Sequence, residues 1–131
     1  MIRLSTTTLI LSLLLLAPAV AGDLPAACPK PADTMAGMGA MAAPQGDAAH
    51  QELMAGMDSM NAQMMAGGTA ADIDVAFICA MIPHHQGAID MAKAELARGD
   101  DPWAKALAQT IIDAQTKEIA DMTDWLGKLP K

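Results

Sequence analysis

The stretch "AMIPHHQGAIDMA", Ala80 to Ala92, holds two of the chain's three histidines. His84 and His85 stand directly behind Pro83, with Met81 before them and Met91 after. Imidazole nitrogens and thioether sulfurs together form a soft ligand set, suited to Cu(I) and by extension Ag(I). A thioether is a neutral ligand at any pH, which suits an exported metal protein. Adjacent residues on a helix diverge by about 100°. One imidazole is therefore expected to bind, while the other supports it or serves a second site, unless Pro83 re-aims them. Pro83 has no N–H for the carbonyl of Cys79 and crowds that turn, so a kink is expected there. The ordinary alternative is a histidine pair hydrogen-bonded to Glu118, with the methionines as soft core filler.

Helices must position these groups. Hydrophobic residues make up 53% of the chain and aromatics 2%, with no tyrosine and 12 methionines. An Ala, Leu, Ile and Met core with few β-branched runs predicts an all-α fold, a short helical bundle. Helices are expected over about 48–66, 70–98 and 102–128. Gly67 and Gly68 separate the first two. Gly99, Asp101 and Pro102 supply a helix end, an N-cap and a first helical position. The short link makes the last two helices an antiparallel hairpin. Pairing outward from the turn, positions whose numbers add to about 203 face each other. Met81 then meets Met122, His85 meets Glu118, Ile78 lies near Trp125, and Leu96 near Leu107.

Each hairpin helix carries two stripes. Val75, Ile78, Ile82, Ile89 and Leu96 face Ile112, Ile119 and Leu126 as ordinary core. The neighbouring stripes mix Phe77, Met81, His84, His85, Met91 and Glu95 with Leu107, Ile111, Glu118, Met122 and Trp125. The metal ligands expected there are Met81, His84, His85, Met91 and Met122, with Glu118 orienting a histidine ring from behind. The first helix aligns His50, Leu53, Met54, Met57, Met60, Met64 and Met65 on one face. His50, Met54 and Met57 are further candidate ligands.

The two cysteines, Cys28 and Cys79, allow one disulfide. On a helical wheel Cys79 falls near Gln86 and Asp90, away from Met81 and His84. This favours a structural or free cysteine over a ligand. A bond to Cys28 would tie the preceding segment to the bundle.

Residues 1–21 read as a secretory signal: Arg3, an apolar run from Leu9 to Leu16 too short to span a bilayer, and a closing "AVA". The address is periplasmic or secreted, with no membrane segment in the mature form. Removing Arg3 takes the net charge from −7 to −8. Such acidity does not suggest nucleic acid or an anionic membrane as partner. Residues 22–47, with Pro25, Pro29, Pro31 and Pro44, are expected to form a flexible tether carrying Met35, Met38 and Met41. Residues 48–131 are the helical domain.

"FICAMIPHHQGAIDMA", with Ile111-Ile112, Gln115, Glu118-Ile119, Met122 and Trp125-Leu126, resembles a ferritin-like family of unknown function (domain of unknown function 305) that includes CopM-like periplasmic copper-binding proteins. The resemblance covers about residues 70–128. It implies a ferritin-like helical bundle, export, and a role in copper binding or resistance. Position by position it points to Met81, His84, His85, Met91 and Met122. Relatives often carry a further methionine where Cys79 stands.

The expected function is an exported Cu(I)/Ag(I) buffer or metallochaperone, not an enzyme, whose partners are the metal ion and a copper exporter or oxidase. The rival is a helical interaction module without metal, whose methionines form a partner surface. Three helices leave an apolar groove that a homodimer would cover. A di-iron oxidase would need inward carboxylates with Glu-x-x-His pairs, and Glu118 has no histidine three residues on. No nucleophile–base pair or phosphate loop is present.

Overall fold

A computed structural model describes residues 24–30 and 46–130. The expected signal peptide and the Met35, Met38 and Met41 cluster lie outside the described residues. Those described form helices and connecting turns, with no strand among them. The fold is an all-α helical bundle, as the composition predicts.

Four helices follow in order: α1 Ala48–Leu53, α2 Met57–Gly67, α3 Ile73–Arg98 and α4 Pro102–Gly127. Three begin on an aspartate cap. Asp47 accepts from the N–H groups of Ala49 and His50, Asp72 from Asp74 and Val75, and Asp101 from Ala104. Each satisfies donors that a helix start leaves open. Pro102 occupies the first turn of α4, where its missing N–H costs nothing.

Two boundaries differ from expectation. The single helix expected over 48–66 is broken, because Gly56 takes φ +82 between α1 and α2. The helix expected from residue 70 starts at Ile73, because the Asp72 carboxylate takes the cap. The 22–47 segment is not wholly a tether either: Leu24 and Cys28 are buried in the core.

α3 is the central element. α4 and α2 each pack along it, and α1 touches its C-terminal half. α4 runs antiparallel to α3, since His85 bonds Glu118 across the seam. α1 and α2 also run antiparallel to it, since Glu52 bonds Arg98 while Gly67 lies against Cys79. A Cβ on Gly67 would stand 2.6 Å from the Cys79 carbonyl carbon and oxygen. α2 thus ends with backbone pressed on backbone, beside the carbonyl that Pro83 leaves without its helical N–H. α3 continues through Pro83, which is buried.

The aliphatic core sits at one end. Leu24, Cys28, Cys79, Ile82 and Leu126 form it, with Val75, Ile78, Ile119, Met122 and Leu129 packed around them. A disulfide joins Cys28 to Cys79, with Cα atoms 5.4 Å apart. It pins the Leu24–Lys30 segment over the end of the bundle. Further along, the helices meet through small residues, Ala92, Ala94 and Ala108. Small residues let backbones approach closely and leave large side chains at the margins of the seams.

Candidate functional site

His85 lies in the α3–α4 seam, its side chain 13% exposed. Its Nδ1 is 2.9 Å from the Met81 carbonyl oxygen, one turn back. Its Nε2 is 2.7 Å from Glu118 Oε2 on α4. Both neighbours are acceptors when Glu118 is ionised. With one ring nitrogen against each of these neighbours, neither is turned toward a metal in this arrangement. His85 thereby fixes the α3–α4 register, and Glu118 stands where the sequence register placed it.

His84 differs. It is exposed, and its ring makes no hydrogen bond among the described residues. The two rings sit edge to face, centroids 5.9 Å apart. Of the pair, His84 is the imidazole free to take a ligand in this arrangement. Met81 is half-buried one turn before it, and Met122 packs at the edge of the core from α4. Gln115 adds a buried side-chain oxygen with no hydrogen-bond donor, one turn before Glu118. Sequence reading gave that residue no role.

Met91 is seven residues beyond His84, about 10 Å along a helix axis. It lines a cavity of about 300 Å³ together with Met57 and Met60 of α2, under the break at Gly56. The remaining wall includes Pro83, Gln86 and Asp90 of α3. The methionine candidates therefore fall into two groups. Met81 lies one turn before the histidines on α3, and Met122 lies one turn beyond Glu118 on α4, packed against the core. Met57 and Met91 lie in the cavity, joined by Met60, which sequence reading placed on the stripe without naming it a ligand. The signal for Met60 was Gly87, opposite it on α3.

His50 is remote from both groups. Its Nδ1 is 2.9 Å from Asp47 Oδ1 at the start of α1. That bond holds the Asp47 carboxyl below its usual value. The ring also borders a shallow hollow with Glu95 and Arg98 at the far end of α3. Met54 is exposed at the C-terminal end of α1. Cys79 is held in the disulfide and is fully buried.

Among the described residues, no three side chains of His, Cys, Asp or Glu come together as a metal cluster. Four of the 12 methionines, Met1, Met35, Met38 and Met41, lie outside the described residues. None of the remaining eight is buried. Sulfurs that lie at seams, cavity walls and surface remain within reach of an incoming ion.

No curated protein matches the chain. The family model of a domain of unknown function (DUF305) matches residues 24–126, most of the sequence and all four helices up to the last residue of α4. The chain therefore belongs to the DUF305 family.

Proposed function

We propose that the protein is an exported soft-metal carrier that buffers or delivers Cu(I), with Ag(I) as a chemical equivalent, and that it is not an enzyme. The observation that carries this reading is the position of the methionines. Fully buried methionines would read as core filler alone; of the eight described, Met54, Met65 and Met91 are exposed and the other five are half-buried, Met122 against the core. Leucine, isoleucine, alanine and the disulfide make the core instead. The ligands assigned to the first site are His84, Met81 and Met122, with His85 and Glu118 holding the seam behind them. The CopM-like resemblance of the His-His motif supports the same metal. The Cys28–Cys79 bond suits an oxidising compartment such as the periplasm. A copper exporter or oxidase is the partner this role calls for.

The test is Cu(I) affinity measured beside thermal stability. Leucine at positions 81 and 122 preserves volume and apolarity, so stability should change by less than about 1.5 kcal/mol. Affinity should fall, and fall further in His84→Ala. Full affinity in both variants would remove the site from these residues.

One observation favours a second reading, a docking module that needs no metal. Ile73 and Phe77 of α3 are 79% and 61% exposed, and Trp103 of α4 is 73% exposed. Leu107 and Trp125 add to the apolar surface of α4. Cu(I) affinity that does not depend on the methionines and histidines would favour this alternative.

A further inference from the structure

We infer that the protein has a second soft-metal site, free of histidine, formed by Met57, Met60 and Met91 in the cavity beneath the α1–α2 break. The inference rests on the soft-metal reading above but concerns different residues.

All three thioethers line one cavity of about 300 Å³. They come from two elements. Met57 and Met60 share the first turn of α2, and Met91 rises from α3 where the chain bends at Gly56. The bend is what brings them together. A straight helix over 48–66 would carry Met54 and Met57 on one continuous face, whereas the break leaves Met54 exposed and turns Met57 to the cavity. Met60 is seated deliberately. A Cβ on Gly87 would lie 2.2 Å from the Met60 sulfur, so a methyl there would move that thioether from its place against α3.

The surroundings favour a monovalent cation. Asp90 is the one acidic side chain of the cavity wall among the described residues. Its Oδ1 accepts from Gln86 Nε2 at 3.0 Å and from Lys93 Nζ at 3.3 Å, so the carboxylate is held in place. Three neutral sulfurs beside one fixed carboxylate offer a soft ligand set with little attraction for Zn(II) or Mg(II). His84 lies about 10 Å along α3 from Met91, so the two sites are separate.

The experiment uses the mature, oxidised protein with methionine methyl groups labelled with carbon-13, titrated with silver nitrate. Two equivalents should bind. The methyl signals of Met57, Met60 and Met91 should shift together, apart from those of Met81 and Met122. The paired substitution Met57→Leu and Met60→Leu should remove one equivalent and leave the shifts at Met81 and Met122. Gly87→Ala should do the same. Its methyl displaces only the flexible end of Met60, and alanine suits a helix better than glycine, so the variant should fold. Two equivalents retained by these variants, or unshifted Met57, Met60 and Met91 signals, overturns the inference. Loss of all binding in His84→Ala, with the three cavity methionines intact, also overturns it. Silver that binds the wild type nowhere would instead reject the soft-metal reading as a whole.

Discussion

His85 Nε2 and Glu118 Oε2 lie 2.7 Å apart, joining residues 33 positions distant and locking α3 against α4. The same imidazole is 2.9 Å from the carbonyl of Met81, so both ring nitrogens are engaged. Its role is to hold the seam in register while its neighbour His84 stays free. Removing the carboxylate should therefore affect stability more than the free histidine would. Hydrogen bonds to charged groups contribute about 1.5–3 kcal/mol, but Glu118 is 57% exposed, so Glu118→Ala should cost about 1 kcal/mol. His84→Ala should cost less. Urea unfolding of the two variants measures both; equal costs would mean the His85–Glu118 contact does not hold the helices.

The disulfide should account for a large share of stability. Cys28 and Cys79 are 51 residues apart. Closing a loop of that length constrains the unfolded chain by about 4 kcal/mol on the chain-entropy view. Replacing both cysteines with serine should cost that much, and should also release Leu24 from Ile82 and Leu126. Freshly prepared protein should show no free thiol before reduction. Two thiols titrating without reductant would contradict the pairing.

Gly56 gives opposite signs for the two views of the N-terminal helix. In a continuous helix, Gly56→Ala would stabilise by up to about 1 kcal/mol. At φ +82 the new Cβ meets no neighbour, but the left-handed backbone costs about 1–2 kcal/mol for any other L-residue. Chemical denaturation should show a loss. A gain would mean that α1 and α2 form one rod and that Met57 does not turn toward Met60 and Met91.

Much of this architecture was legible because local signals agreed. Asp101 and Pro102 fixed the start of α4, and the short turn before them set the register that pairs His85 with Glu118. The break at Gly56 was hidden, because an isolated glycine within "MAGMDSM" reads equally as a tolerated helix residue. The burial of Leu24 and Cys28 was hidden by the prolines around them, which resemble a linker. For the candidate site, the residue types and the pairing of His85 with Glu118 could be read from spacing. The partition of the candidates could not. His50 followed α1 to the far end of α3, and Met60 depends on Gly87, a contact between helices that no single-helix periodicity encodes.

The half-buried thioethers of Met57, Met60, Met81 and Met122, the exposed Met91 and the imidazole of His84 are proposed to hold soft cations. The most direct test is an anaerobic competition titration of the wild-type mature protein, setting Cu(I) against a chromogenic chelator and repeating it with Zn(II). Cu(I) should be held far more tightly than Zn(II). Zn(II) bound as tightly as Cu(I), or more so, would contradict it.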